Sequence, residues 1–200
     1  MDFITIKGQE HVKRGLEVAV AGKHNVMLIG TSIQQMRKLA RASKSIGGGI
    51  NIGIMLTCPC GNFTDPKKEC RCKPIEIQRY LADKAHRAEK VDIHLEVPNL
   101  AYCNRRAGEA SAEVKDRVER ARLLLNRDKT SHCKIEPDMD KEADDLLKLA
   151  ILELGISAKM YDKVVRVART IAVLDNKDVI EPHHISEAIS YRSLDRNIWS

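Results

Sequence analysis

Apolar positions recur along this chain in two rhythms, and the switch between them lays out its elements. Val12, Leu16, Ala19 and Val20 fall three or four apart, which predicts a helix after a short strand-like opening at Phe3. Gly22-Lys23-His24-Asn25 breaks that helix. Val26-Met27-Leu28-Ile29 then forms an uninterrupted apolar run before Gly30, the pattern of a strand buried on both faces. Helical spacing returns over residues 36–42, Gly47-Gly48-Gly49 breaks it, and residues 50–56 read as another short strand. Residues 74–90 are helical in pattern, with Pro74 in the first turn. Residues 91–97 alternate apolar and polar, which predicts a half-buried strand ended by Pro98. A charged helix follows over residues 111–126, with Val114, Val118, Ala121, Leu124 and Leu125 on its apolar stripe.

The last third is helical throughout. Asp140 stands as an N-cap before Leu146, Leu147, Ala150, Ile151 and Leu154, and Gly155 closes that face. Ser157 caps a second helix with the stripe Met160, Val164, Val167, Ala168, Ile171 and Leu174, and Asn176 ends it. Pro182 opens a final helix that runs to about Arg192. The pattern divides the chain into residues 1–135, mixed α/β, and residues 136–200, a helical unit.

Composition narrows the class. Of 200 residues, 43% are hydrophobic and 31% charged, which excludes a disordered tail or a collagen-like chain. No apolar run approaches the roughly 18 residues of a membrane span, and no cationic stretch followed by an apolar one marks export. The expectation is a cytoplasmic protein with no membrane partner. The net charge of +6 is unevenly placed: residues 136–200 carry 9 Lys and Arg against 13 Asp and Glu, so residues 1–135 hold the excess of base. A basic half can attract DNA, and it equally suits a solvated surface. With aromatics at 4%, a stacking platform for single strands has little to be built from.

The strongest chemical signal is Cys58-Pro59-Cys60-Gly61 followed by Cys70-Arg71-Cys72. Four soft sulfur ligands this close can close a tetrahedral thiolate shell around zinc, and four protein thiolates leave no open position, so the ion is structural. Gly61 and Asp65-Pro66 supply turn residues that bring the two pairs together, making residues 57–74 a hairpin. Disulfides and an iron–sulfur cluster are the weaker readings of the same four residues. Cys103 and Cys133 are isolated and read as free thiols. His183-His184 reads as a polar first turn of the last helix, because adjacent residues point in different directions on a helix.

Several stretches together resemble the magnesium-chelatase-related AAA+ ATPases of the ComM/YifB type. They are Asp2-Phe3, Lys7-Gly8-Gln9-Glu10, the segment His24-Asn25-Val26-Met27-Leu28-Ile29-Gly30, and Cys58-Pro59-Cys60-Gly61. The likeness continues through Ile77-Gln78-Arg79-Tyr80-Leu81, residues 92–98 and residues 108–114. It is densest in residues 154–161, 164–174 and 188–196. The resemblance implies an α/β AAA+ core, here shortened so that the chain is mostly α overall, a cysteine hairpin, and a C-terminal helical lid. It also implies ATP and Mg²⁺ as cofactors, ring assemblies, and a link to DNA recombination and competence.

The same comparison bears on activity. A P-loop needs a glycine-rich turn whose N–H groups cradle phosphates, a Lys for the terminal phosphates, and a Ser or Thr for Mg²⁺. At the matching place this chain reads Gly30-Thr31-Ser32-Ile33-Gln34-Gln35-Met36-Arg37. Gly30 alone keeps the pattern, Met36 stands at the Lys position, and Arg37 at that of the metal-binding hydroxyl. No Asp or Glu lies between Glu17 and Asp65, where the family carries its Walker-B acids. The sensor-1 Asn falls on Leu56, the arginine finger on Lys90, and the sensor-2 Arg on Lys159, so that Gly30, Lys90 and Lys159 are vestigial nucleotide-binding positions. The triple glycine at 47–49 marks either the junction of an internal shortening or a new loop that closes the gap.

The expected function is a degenerate, non-hydrolytic interaction or scaffold module, partnered by an intact AAA+ paralogue or by its own copies. Two other readings stand beside it. One is an ATP-binding subunit completed by an intact paralogue, and the other is a small zinc-dependent DNA-binding protein using residues 67–134.

Overall fold

Four consecutive apolar side chains in an extended segment point to both faces of a sheet, so neither face can meet water. The computed structural model describes residues 2–98, 108–130, 138–154 and 158–192. In it, β1 (Val26–Gly30) is the middle of a three-stranded parallel sheet in the order β2-β1-β3, with β2 at Ile52–Leu56 and β3 at Ile93–Val97. All five β1 residues are buried. Val26 lies opposite Ile52 and Ile93, and Gly30 opposite Leu56 and Val97.

Seven helices surround this sheet among the described residues. They are α1 (Glu10–Gly22), α2 (Ile33–Ala42), α3 (Pro74–Lys90), α4 (Ser111–Thr130), α5 (Lys141–Leu154), α6 (Ala158–Leu174) and α7 (Pro182–Ser190). The chain is therefore mostly helical with a small α/β centre. None of these helices is long and apolar enough to cross a membrane.

One face of the sheet carries the main core. Leu16 of α1, Leu28 of β1, Met36 of α2 and Leu95 of β3 share it with Val118 of α4, Ile171 of α6 and Ile185 of α7. The other face holds a small cluster of Met27, Ile29 and Met55, roofed by Tyr80 and Leu81 of α3. The main core runs without a break across the boundary at residue 135, and the seam is fastened by charge. Within residues 1–135 the buried Glu17 holds Arg117 of α4 at 2.8 Å, and Arg14, 3.5 Å from Glu17, makes the links across the seam. Arg14 reaches Asp175 at 2.9 Å and Glu187 at 3.1 Å. Asp92 accepts from the backbone N–H of Asn25 at 3.0 Å and from Arg166 at 3.2 Å, joining the starts of β1 and β3 to α6.

The structure departs from the sequence pattern in three places, the first being Leu124, expected on the apolar stripe of α4 but 45% exposed there, whereas Val114, Val118 and Ala121 are buried. The opening is no strand but a single 3₁₀ turn, Phe3–Thr5. The Asp2 carboxylate caps it at the Ile4 N–H and also accepts from the backbone and hydroxyl of Ser111, at 2.9 and 2.6 Å, which locks Phe3 into the core. Residues 91–97 are not half-exposed either, since four of the five β3 residues are buried. The end of α7 lies along the outer edge of β3. His94 donates its backbone N–H to the Tyr191 carbonyl at 2.7 Å, and Arg192 donates to the Val91 carbonyl at 2.7 Å. Asp92 and His94 therefore face protein rather than water, and Glu96 alone keeps the exposed position of the alternation.

The triple glycine forms a turn with φ of 129°, 51° and 78° at Gly47, Gly48 and Gly49, a backbone open to few side chains. Arg122 of α4 staples this turn to α1, donating to the Val20 carbonyl at 2.7 Å and the Gly48 carbonyl at 2.8 Å. The expected caps at Gly155 and Ser157 lie outside the described residues, as do Cys103 and Cys133.

Ile171 is fully buried where α6 meets the shared core. Ile171→Ala should cost about 2–5 kcal/mol, the range for deleting a buried aliphatic side chain. Because the core is continuous, thermal unfolding followed by circular dichroism should show one transition moved to lower temperature. A two-step melt with only one step displaced would contradict that continuity.

Candidate functional site

Cys58 leaves the end of β2 directly and is fully buried. The chain turns at once: Gly61, with φ 77°, donates to the Cys58 carbonyl at 3.0 Å, and the Phe63 N–H donates to the Cys58 sulfur at 3.3 Å. A second turn is set by Asp65, whose carboxylate accepts from the Lys67 N–H at 2.8 Å. Cys70 and Cys72 return just before Pro74 opens α3, so β2 and α3 anchor the two ends of the hairpin.

The four sulfurs converge. Cys58 lies 3.4 Å from Cys60 and 3.7 Å from Cys70, Cys60 lies 3.6 Å from Cys70, and all four lie within 4.8 Å of one another. A disulfide needs about 2.05 Å. Four sulfurs placed about 2.3 Å from one ion would stand about 3.8 Å apart, which is the spacing seen here. The backbone N–H groups of Asn62 and Arg71 pull the Cys60 thiol down to about 6. Cys72 goes the other way, to about 12: a backbone hydrogen bond from Cys60 lowers it, but burial and the neighbouring thiols outweigh that pull.

At the position that the resemblance gives to the phosphate loop, only Thr31 and Ser32 separate β1 from α2. Ser32 caps α2 with its own hydroxyl, accepting from the Gln35 N–H at 3.4 Å. The side chain of Met36 is fully buried in the main core. Gly30 answers to a neighbour strand: a Cβ there would stand 2.6 Å from the Val97 carbonyl oxygen. Thr31 Oγ1 and Gln35 Oε1 are buried without a hydrogen-bond partner.

Lys90 is the exposed last residue of α3, and no described hydrogen bond or ion pair joins it to the Gly30 turn. Lys159 sits in the first turn of α6, with its side chain outside the described set. The structure thus brings the four cysteines together, and among the described residues no hydrogen bond or ion pair joins Gly30 and Lys90 into one site. Sequence reading missed a cleft of about 450 Å³ between α1, β3 and α7, lined by His11, Arg14, His94, Glu187 and Tyr191. No linear motif marks it, because its walls come from three distant segments.

A second group of potential ligands, Asp175, His183 and His184, also lies within 4.8 Å. His184 is fully buried and serves as the capping box of α7, its Nδ1 accepting the Glu181 N–H at 2.9 Å. In the neutral ring that bond leaves the proton on Nε2, facing Asp175 Oδ2 at 3.6 Å. A metal on Nε2 would move that proton to Nδ1, against the Glu181 N–H. The group suits a cap and not an ion.

Comparison with known proteins places most of the chain. Residues 108–192 match the family model described as magnesium chelatase, subunit ChlI C-terminal. Residues 2–51 and 38–104 match that for magnesium chelatase, subunit ChlI. The protein YifB of Escherichia coli (strain K12) is 32% identical over 158 residues, covering 72% of this chain and 31% of the relative. The competence protein ComM of Haemophilus influenzae is 30% identical over 162 residues, with the same two coverages. The chain spans about a third of the length of the curated relatives it matches.

The capping box generates a pH dependence. Burial, and then the neighbouring His183, lower the His184 pKa below its usual 6.5, so the unfolded chain binds the extra proton more readily. The stability this cap contributes is present above pH 6.5 and is lost as the pH falls through the folded value. Urea midpoints between about pH 7.5 and 5 should therefore drop in the natural protein. In His184→Asn, whose amide oxygen can still accept from the Glu181 N–H, that drop should flatten. An equal drop in both would remove His184 as the cause.

Proposed function

The chain belongs to the magnesium chelatase ChlI family, and from that premise we propose that it is a non-hydrolytic member, an interaction module held together by a zinc hairpin. The observation that carries this reading is Met36. A phosphate-binding lysine must aim its charge at the nucleotide, but the residue at that position here is buried in the main core as an apolar side chain. The Ser32 cap supports the same reading, because it occupies a backbone donor that a phosphate would otherwise use. The two-residue turn between β1 and α2 also leaves little backbone for a cradle.

Cys58, Cys60, Cys70 and Cys72 would hold the zinc, and their sulfur spacings fit its tetrahedral shell. With all four positions taken by thiolates, the ion would contribute structure to a hairpin with few apolar contacts of its own. The module would act on an intact family member or on further copies of itself. ATP and Mg²⁺, implied by the family, have no role in this reading.

Protein purified under reducing conditions should contain one zinc per chain by elemental analysis. Cys60→Ser combined with Cys70→Ser should lose it, while the far-ultraviolet circular dichroism of the helices persists. A metal-free natural protein would end the zinc assignment.

Isothermal titration with Mg²⁺-ATP should show no binding at micromolar concentration. Loss of the lysine contact alone removes about 1.5–3 kcal/mol. Micromolar binding by the chain alone would overturn the non-hydrolytic reading. Binding that emerges only when an intact family member is mixed in would favour a subunit completed in trans.

A further inference from the structure

Two helices that serve the same core carry exposed stripes toward opposite ends of the sheet. α2 packs on β1 and β2, while α5 packs on α7, whose end closes β3. The outer face of α2 carries Ile33, Arg37 and Arg41 at four-residue steps, and Lys44 continues it in the short 3₁₀ turn that follows. All four are exposed, Ile33 by 39%. The outer face of α5 carries Glu142, Asp145, Leu149 and Leu152, with Asp138 just before the helix. Leu149 is 52% exposed and Leu152 82%. Among the described residues, no ion pair or side-chain hydrogen bond takes up Arg37, Arg41, Lys44, Asp138, Glu142 or Asp145, and Lys148 of α5 pairs with Asp144 instead.

A charged face kept only for water needs no order along its axis, yet these two stripes are ordered in opposite senses. From its N-terminus α2 runs from apolar to basic, and α5 runs from acidic to apolar. Helices of equal rise laid antiparallel, with Ile33 opposite Leu149, bring Arg37 opposite Asp145, Arg41 beside Glu142 and Lys44 opposite Asp138. Leu152 then reaches past Ile33 over the start of α2. Laid parallel, the same stripes would set cations against Leu149 and Leu152, so the match also fixes the direction. No Asp or Glu lies between Glu17 and Asp65, so α2 has no acid in its own stretch of chain to pair with.

We propose that α2 of one copy of this chain packs antiparallel against α5 of a second copy. The inference deepens the proposed function and rests on its reading as an interaction module, for which it names a surface and a partner. Neither zinc nor ATP enters the contact, so its failure leaves the metal and nucleotide experiments to stand on their own. Because the two stripes lie toward opposite ends of the sheet, each joined copy keeps one stripe free, and the assembly grows head to tail beyond two. Two helix faces of about ten residues bury less than the roughly 1,200 Å² of a tight interface, so each contact is weak and depends on its charges.

The test is sedimentation equilibrium of the nuclease-treated full chain at about 100 μM, where weak interfaces of this class still associate. The average mass should pass twice 22.5 kDa at about 50 mM salt and fall back toward 22.5 kDa at about 500 mM. Arg37→Glu combined with Arg41→Glu leaves both stripes acidic, and Glu142→Lys combined with Asp145→Lys leaves both basic. All four positions are exposed, so each double variant should keep the circular dichroism of the natural protein, and each alone should sediment as a monomer. Mixed in equal amounts, the two variants should associate again, since every contact between them joins an acidic stripe to a basic one. A natural protein that stays monomeric overturns the proposal, as does association that survives either double variant or resists salt. Charge-reversed variants that stay apart when mixed overturn it too. A high mass present only before nuclease treatment would assign the basic stripe to nucleic acid and also overturn it.

Discussion

Everything in this molecule is arranged around a strand that cannot be exposed. β1 is five residues long and buried throughout, with Val26 and Leu28 turned to one side and Met27 and Ile29 to the other. Two flanking strands satisfy its backbone, but they leave both faces to be covered. Among the described residues the main core on the heavier face draws on α1, α2, α4, α5, α6 and α7, and the lighter face takes only α3. A strand buried at this cost in ordered chain must recover it through many neighbours, which is why residues as distant as Leu16, Val118 and Ile185 meet in one core.

Much of this was legible because periodicity is local. The helices over residues 74–90 and 158–174 and the strand at residues 26–29 follow from spacing alone, and so does the convergence of the four cysteines. What the sequence hid is long-range and polar. Asp92 looks like the polar half of an alternation until Asn25 and Arg166 are brought to it, from 67 and 74 residues away. His184 looks like half of a histidine pair until its ring is seen accepting the Glu181 N–H. Asp2 turns a strand-like opening into a capped turn because Ser111 arrives beside it. Each of these depends on which segments the fold makes adjacent, and a pattern read along one chain carries no record of that.

The cysteine hairpin and the β1–α2 turn lie at the same end of the sheet, after the last residues of β2 and β1, yet they are built on opposite principles. The hairpin gathers four reactive groups where few apolar contacts hold them. The turn disperses its polar atoms: Ser32 is spent on a cap, Thr31 Oγ1 and Gln35 Oε1 are buried unpaired, and Met36 is withdrawn into the core. Two unpaired buried oxygens cost about 1–3 kcal/mol each. The core burial of Met36 and its neighbours therefore outweighs polar satisfaction at this turn, an order of priorities suited to holding a shape.

The closing of β3 by Tyr191 and Arg192 has a consequence for how the chain is made. A ribosome releases Phe3, α1 and the whole sheet well before it releases α6 and α7, which cover them. Until α6 and α7 emerge, the nascent polypeptide therefore carries a bare apolar surface and an unsealed strand edge. Contacts this far apart in sequence slow folding and prolong such exposure. Newly made chains should thus depend on chaperones most heavily just before α6 and α7 emerge, and ribosomes stalled in that window should yield the most aggregation-prone fragments.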